Sequence, residues 1–181
     1  MKRLLWQLSK WCPCSRNWRP ELSTEKQEAG QKSAPRPKPS ARRRARQLAL
    51  QALYQWQMSQ SSITQIEMQF RADNDFNKVD DGYFHVLLTG IAREASRLDD
   101  AMSPLLDRPI TQLDPVEMAA LRIGCYELMN RSDVPYRVVI NEAIELVKRF
   151  GAQDSHRYIN GILDKLAPRV RPDEVRNFRK K

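Results

Sequence analysis

Four arginines lie within five positions of the stretch SARRRARQLALQALYQW, which then becomes apolar without an intervening turn residue. On a helical wheel of about 100° per residue, Arg42, Arg43 and Arg46 share one face with Tyr54, and the fourth arginine points away. Arginine neutralises phosphate and an exposed tyrosine ring can stack on a base, a combination typical of sites for single-stranded nucleic acid. The alternative interpretation is a solvated charge run at the start of a helix.

A second candidate patch lies in the segment FGAQDSHRYING. Phe150 ends one predicted helix and Tyr158 lies one turn into the next, with a helix N-terminus between the two rings. Such an N-terminus carries partial positive charge and free backbone donors, which suit an anion. Core aromatics around a tight turn remain the alternative for each residue taken alone.

Catalytic residues are not indicated by any motif. His85 and His156 are the only histidines, and neither has a serine, cysteine or aspartate beside it in a known nucleophile motif. Nucleotide-binding glycine motifs and H-E-x-x-H are absent. Glu142 and Glu145 are better explained as a solvated acidic face than as an acid–base pair. We therefore expect a protein without enzymatic activity and without a cofactor.

The three cysteines favour neither a disulfide framework nor a metal site. Cys12 and Cys14 form a C-x-C pair rather than the C-x-x-C spacing usual for zinc, and Cys125 is left over. An odd cysteine count is most simply explained by a reducing compartment. The cysteine spacing therefore predicts a protein without a metal ion. Because no apolar run approaches the roughly 20 residues that span a bilayer, we also expect the protein to be cytoplasmic.

Positive charge is concentrated at the two ends of the chain, whose net charge is +9. Residues 1–41 hold 9 basic and 3 acidic groups, and residues 42–46 add four arginines. Residues 168–181 hold 6 basic and 2 acidic groups, whereas residues 47–167 have a net charge of −5. This distribution indicates a local anion site on an acidic domain rather than a general polycation.

Apolar periodicity predicts an all-α, compact bundle of about seven helices, five long and one or two short. Runs rich in valine, threonine and aromatics that alternate with polar residues, as strands do, are absent. Capping residues, prolines and glycines set the expected helix boundaries. These boundaries are an N-cap at Ser40, capping boxes at Ser62 with Gln65 and at Asp114 with Glu117, a start near Pro135, a stop at Gly151, a start at Asp154 or Ser155, and an end before Pro168.

Three stretches closely resemble the NusB family of bacterial transcription antitermination factors: ARRRARQLALQALYQWQMS, VEMAALRIGCYEL and RSDVPYRVVINEAIELVKRFGAQDSHRYINGILDKLAP. The resemblance implies an all-helical domain of two packed sub-bundles. It also implies that the domain binds the boxA RNA of ribosomal RNA operon leaders together with NusE, a protein of the small ribosomal subunit. The pair would join an elongating RNA polymerase complex and suppress termination.

The resemblance also divides the chain and assigns site residues. It covers a helical RNA-binding domain over 40–171 and leaves a basic C-terminal tail over 172–181. Residues 1–39 lie outside it, and the polar, proline-containing composition of residues 19–39 predicts that they form a disordered basic extension. Glu117 is implied as a contact to NusE. Asp154 carries a negative charge and would repel a phosphate, so it would cap the last helix or accept hydrogen bonds from a base edge. The implied RNA-binding residues are Arg42, Arg43, Arg46, Tyr54, Arg137, Phe150, Asp154 and Tyr158.

Two other classes of function remain as alternatives. A helical domain of this family also forms the N-terminal part of some RNA cytosine methyltransferases. We do not expect that class, because the sequence shows no sheet-based cofactor domain after residue 171. The second alternative is a pure protein-interaction module in which the arginines serve solubility.

Overall fold

The computed structural model describes residues 39–179, which form seven α-helices and no strand. This confirms the predicted all-α bundle. The predicted extension, apart from Pro39, lies outside the described residues, as do Cys12 and Cys14. None of the described helices is both long and apolar enough to cross a membrane. The helices are α1 (Pro39–Met58), α2 (Ile63–Asp73), α3 (Asp81–Met102), α4 (Pro115–Asn130), α5 (Tyr136–Phe150), α6 (Ser155–Val170) and α7 (Pro172–Arg179).

The helices pack in two groups that share α4. Helices α1, α2 and α3 contact one another, and α5 and α6 pack on α4 and on each other, with α7 against α6. Because α4 also contacts α1 and α3, it lies at the centre of the molecule. Between Ala119 and Leu128 every residue of α4 is buried except Arg122, which is partly exposed. A helix that is buried on nearly all sides is expected to be apolar, so the buried Glu127 stands out.

Helix starts follow the predicted capping residues closely. Ser62 and Gln65 form both hydrogen bonds of a capping box at the start of α2. The Asp114 carboxylate accepts hydrogen bonds from two backbone N–H groups in the first turn of α4. The predicted box at Asp114 is nevertheless wrong in its second half. The Glu117 carboxylate accepts a hydrogen bond from Ser155 Oγ at 2.6 Å instead, and so joins the starts of α4 and α6.

Two other boundaries and one capping role differ from the expectation, whereas the start of α6 at Ser155 agrees with it. Ser40 lies inside α1 rather than at its N-cap, because the helix already includes Pro39. Asp154 occupies the N-cap position of α6, but its side chain forms no capping hydrogen bond. Helix α6 continues through Pro168 to Val170, although this proline lacks an N–H donor and its ring crowds the carbonyl four residues earlier. The start of α5 after Pro135 and its end at Gly151 agree with the prediction.

Residues 172–179 of the predicted basic tail form α7, which is fixed to the rest of the molecule by the segment before it. Val175 is buried against the core. The Arg171 guanidinium, 9% exposed, donates hydrogen bonds of 2.6–2.7 Å to four backbone carbonyls at the end of α4 and in the following loop. Carbonyls in the last turn of a helix have no partner within the helix, and a cation there also complements the helix dipole. The four acceptors are the carbonyls of Glu127, Leu128, Arg131 and Val134.

Candidate nucleic-acid interface

The first turns of α1 present two arginines that are already held by carboxylates. Arg42 Nη1 lies 2.9 Å from Asp133 Oδ2, and Arg42 Nε lies 3.4 Å from a carboxylate oxygen of Asp80. Arg43 contacts both oxygens of Glu142 and reaches Oε1 at 2.8 Å through Nη2. The Arg43 side chain is 56% exposed. A phosphate could therefore reach Arg43 from solvent, but it would compete with Glu142.

Arg46 is buried, and the prediction that it shares an exposed face with Arg42 and Arg43 is wrong. Its exposed fraction is 3%. Arg46 Nε donates to Glu127 Oε1 at 2.8 Å, and Nη2 donates to the Tyr83 hydroxyl at 3.1 Å. A helical wheel gives the direction in which a side chain points but not how deeply the side chain is buried. Arg46 lies where α1 packs on α3 and α4, whereas the side chains of Arg42 and Arg43 remain 25% and 56% exposed.

The residues around Arg46 form a buried polar network. The Tyr83 hydroxyl donates a hydrogen bond to Glu127 in addition to its contact with Arg46. Burial raises the pKa of Glu127, although the charge of Arg46 acts in the opposite direction. Burial also raises the pKa of Tyr83, which therefore keeps its proton at neutral pH. Guanidinium groups of Arg42 and Arg131 lie 4.8 Å from the centre of the Tyr83 ring. This network ties α1 to α3 and α4.

Asp133 organises the loop that precedes α5. Its carboxylate accepts hydrogen bonds from Arg131 at 2.8 Å and from Arg42 at 2.9 Å. The hydrogen bond from Arg131, with a further contribution from Arg42, lowers the pKa of Asp133 to about 2. The loop carboxylate therefore stays ionised far below neutral pH and keeps Arg42 in place.

We expect Asp133→Asn to lower the Tm at pH 7. The folded-state pKa of Asp133 is about 2 and lies below its unfolded value. The carboxylate therefore contributes stability that is fully present above about pH 4 and declines as the pH falls towards 2. Thermal melts of parent and variant between pH 7 and pH 2.5 test this expectation. A Tm difference as large at the acidic end as at pH 7 would contradict it, and Asp100→Asn, at an exposed position on α3, is the control.

Tyr54 and Phe150 line the same open cleft of about 530 Å³. The Tyr54 side chain is 41% exposed, in agreement with its predicted position on the polar arc of α1. Phe150 is half-buried, and the guanidinium of Arg149 lies 5.5 Å from the centre of its ring. Val116 and the exposed Met58 also line the cleft. The structure thus brings together two aromatic rings that the sequence placed 96 positions apart.

Helices α1 and α5 lie side by side and run in the same direction. Arg42 contacts Asp133 just before α5 begins, and Tyr54 meets Phe150 in one cleft near the other end of both helices. Twelve residues of α-helix separate Arg42 from Tyr54, a length of about 18 Å. Arg42, Arg43, Tyr54 and Phe150 therefore follow one elongated surface, here called the α1–α5 strip.

Tyr158 and Asp154 lie at the start of α6. The Tyr158 hydroxyl donates to Asp107 Oδ1 at 2.9 Å, and the guanidinium of Arg108 lies 5.0 Å from the centre of its ring. Partial burial and the hydrogen bond to Asp107 raise the pKa of Tyr158 to about 12. Asp154 is 75% exposed, and its carboxylate lies 3.6 Å from Arg157. The contacts of Asp107 and Arg108 with Tyr158 were not predicted from the sequence, because the loop that carries these two residues is far from α6 along the chain.

Arg137 lies in the first turn of α5, four residues after Asp133, the partner of Arg42. Within residues 39–179 it forms no ion pair with a carboxylate, in contrast to Arg42 and Arg43. Its guanidinium lies 4.3 Å from the centre of the Phe178 ring in α7. Phe178 was not predicted as a site residue, although the basic run RNFRKK around it indicates a segment that could contact an anion.

Comparison with known proteins agrees with this architecture. A model of the NusB family matches residues 43–168. A protein of Pseudomonas fluorescens strain Pf0-1 named "Transcription antitermination protein NusB" is 55% identical over 148 residues, covering 81% of this chain and 89% of that protein. A protein of the same name from Escherichia coli O139:H28 is 56% identical over 137 residues, covering 76% of this chain and 99% of its own length.

Solved structures of similar fold are also known. The solved structure of T. maritima NusB matches with a TM-score of 0.63 at 29% identity, covering 74% of this chain and 96% of that one. A chain from the crystal structure of antitermination factors NusB and NusE in complex with dsRNA matches in fold with a TM-score of 0.64 at 24% identity, covering 70% and 96%. The family match, the close relatives and the shared fold agree, and the chain belongs to the NusB family.

Proposed function

We propose that this chain is a transcription antitermination factor. In this role it binds boxA-type single-stranded RNA of ribosomal RNA operon leaders together with NusE, and it joins the elongating RNA polymerase complex. Membership of the NusB family supports the role, as does the naming of relatives that are 55% and 56% identical. The observation that carries the RNA-binding part is the α1–α5 strip, which combines surface arginines with an exposed tyrosine.

We propose that the arginines of the strip exchange their carboxylate partners for RNA phosphates. The Arg43 side chain is 56% exposed, and Glu142 keeps Arg46 as a second partner at 3.6 Å, so a phosphate can share or displace the Arg43 contact without leaving Glu142 unpaired. The buried Arg46 is assigned a different task, which is to fix the direction of α1 through Glu127. Its proposed effect on RNA binding is indirect, because its guanidinium cannot reach a phosphate without leaving that pair.

The residues at the start of α6 complete the proposed RNA surface. The Tyr158 ring is flanked by Arg108, so a base and a phosphate could be held next to each other. Asp154 is exposed and makes no capping hydrogen bond, which favours a role in accepting hydrogen bonds from a base edge. Glu117, beside Ser155, is proposed as a contact to NusE.

A titration of labelled RNA tests the proposed function. The full chain is mixed with boxA-type RNA or with a scrambled RNA of the same length, in the presence and in the absence of NusE. Tighter binding of the boxA-type RNA, strengthened further by NusE, is the expected result. Equal binding of both RNAs under both conditions would contradict the proposal.

We expect the variant Arg42→Ala/Arg43→Ala to bind RNA with a weaker salt dependence. The slope of log affinity against log salt should flatten by about 0.7 for each phosphate of a single strand that the variant no longer neutralises. Arg44→Ala is the matched control, because Arg44 is exposed in the same turn but points away from the strip on the helical wheel. An equal change of slope in the control would show attraction to charge in general rather than binding at the strip.

A protein-interaction module without RNA binding is the second candidate function. The observation that favours it is that Arg42 and Arg43 are both neutralised by carboxylates of the chain itself. In that case NusE would bind in the titration while neither RNA did.

We further propose that the protein acts as a binding factor rather than as an enzyme, and that it acts in the cytoplasm, where transcription takes place in bacteria.

A further inference from the structure

Helix α7 places an exposed aromatic ring next to the first turn of α5. Phe178 is 46% exposed, although it belongs to a helix whose other apolar residue, Val175, is buried. The Phe178 and Tyr136 rings form a T-shaped pair with a centroid separation of 6.2 Å and an interplanar angle of 80°. The guanidinium of Arg137 lies over the ring at 4.3 Å from its centre. The ring is therefore fixed on two sides and remains partly open to solvent.

The position of helix α7 is set by contacts that do not involve the Phe178 ring. Glu174 accepts a hydrogen bond of 2.9 Å from the backbone N–H of Tyr136 and lies 3.1 Å from Arg171 Nη1. These contacts anchor α7 to the start of α5, so Phe178 does not have to hold the helix in place. An open cleft of about 370 Å³ lies between the two helices. Its lining residues are Pro135, Tyr136, Arg137, Glu174, Asn177 and Phe178.

The charge around this cleft suits an anion. Arg137 has no carboxylate partner within the described residues, and the one acid that lines the cleft, Glu174, is engaged with Tyr136 and Arg171. A free guanidinium beside an exposed aromatic ring is the arrangement that single-stranded nucleic-acid sites use for one phosphate and one base.

The cleft lies close to one arginine of the strip. Asp133, which holds Arg42 at 2.9 Å, lies only four residues before Arg137. The Cα atoms of Asp133 and Arg137 are therefore at most about 14 Å apart, so nucleotides that flank an RNA segment bound at Arg42 can reach this cleft. Helix α7 lies beyond residues 43–168, the part of the chain that the family model matches.

We propose that Phe178 and Arg137 form a binding site for one unpaired nucleotide of the RNA that flanks the boxA-type sequence. The base stacks on the exposed part of the Phe178 ring, and the adjoining phosphate contacts Arg137. This inference rests on the proposed RNA-binding function. It extends the strip by one site whose aromatic ring lies outside the residues that the family model matches.

The test compares two RNAs on the full chain. One is trimmed to the boxA-type sequence, and the other carries unpaired nucleotides on both sides of it. Phe178→Leu keeps an apolar side chain but removes the aromatic ring on which a base could stack. Phe178→Trp, made separately in the parent chain, keeps an aromatic ring at this position. Met68→Ala, at an exposed apolar position on α2, is the control for general effects of surface change.

We expect Phe178→Leu to weaken binding of the flanked RNA by about 5- to 100-fold, the range for removal of one base stack. Binding of the trimmed RNA should stay within about twofold of the parent, because it does not reach the cleft. Phe178→Trp should bind the flanked RNA as the parent does. Photo-cross-linking of the flanked RNA should label the peptide that contains Phe178.

Two results would overturn the inference while leaving the proposed function intact. In the first, Phe178→Leu binds both RNAs as the parent does. In the second, the variant binds NusE more weakly when no RNA is present, which would assign the cleft to a protein. A parent chain that binds neither RNA would instead overturn the proposed function, and with it the inference.

Discussion

Replacing Glu127 with glutamine is expected to lower the free energy of unfolding by about 3–5 kcal/mol. The reason is that Arg46, 3% exposed, would keep its charge without a counter-charge next to it. The amide can still accept a hydrogen bond from Tyr83, so the effect is mainly electrostatic. Urea unfolding of the parent and the variant, followed by circular dichroism, measures the difference.

An exposed ion pair supplies the control for this prediction. Glu145 and Lys148 form a pair of 3.0 Å on the surface of α5, and Glu145→Gln should change the free energy of unfolding by less than about 1 kcal/mol. If Glu127→Gln also cost less than about 1 kcal/mol, the Arg46 pair would not be a buried one in solution.

A double variant separates the structural role of Arg46 from a direct role in RNA binding. Replacing both members of a buried pair with apolar side chains of similar size is often neutral for stability, because no unpaired charge remains. Arg46→Met/Glu127→Met should therefore be more stable than Glu127→Gln. Its RNA affinity should stay near that of the parent, since the structure buries the Arg46 guanidinium. A stable double variant that no longer binds RNA would instead restore Arg46 to the RNA-binding residues.

Tyr54→Ala is expected to weaken RNA binding by about 1–3 kcal/mol, the usual contribution of one base–aromatic stack. The Tm should change little, because the Tyr54 side chain is 41% exposed. Fluorescence anisotropy with boxA-type RNA and a thermal melt of the same sample measure the two quantities together. A lower Tm with unchanged RNA affinity would show that the ring serves packing.

Two neighbouring variants make this result specific to the ring. Tyr54→Phe keeps the stacking surface and should bind RNA almost as the parent does. Met58→Ala removes an exposed apolar side chain from the same cleft, one turn further along α1, without removing a ring. An equal drop in affinity for Met58→Ala would indicate that the cleft binds through apolar area rather than through stacking.

The helices could be predicted from sequence because their signals are local. The capping box at Ser62, the N-cap at Asp114 and the stop at Gly151 each depend on a few neighbouring residues, and all three appear in the structure. Glu117 shows the limit of such signals. Its spacing from Asp114 suits a capping box, but its carboxylate binds the hydroxyl of Ser155, which lies 38 positions away in the chain.

The site was harder to predict because its charges are paired across long distances in the chain. Glu142, which holds Arg43, is 99 positions away, and Glu127, which holds Arg46, is 81 positions away. A helical wheel cannot show these partners, so it cannot separate an arginine that faces solvent from one that is neutralised in the core. The one local sign that a cation must be buried nearby was Glu127, an acid on the otherwise apolar second half of α4.

The contacts of Arg171 have a consequence for the order in which the molecule is built. Its guanidinium binds carbonyls that lie 37–44 positions earlier in the chain, at the end of α4 and in the loop that carries Asp133. During synthesis from the N-terminus, that loop leaves the ribosome well before Arg171 does, and until then its carbonyls lack their hydrogen bonds to the Arg171 guanidinium. The loop that positions Arg42 therefore acquires its contacts to Arg171 only after α6 has been made. The arginines of α1 in a nascent chain are exposed before this loop can orient Arg42.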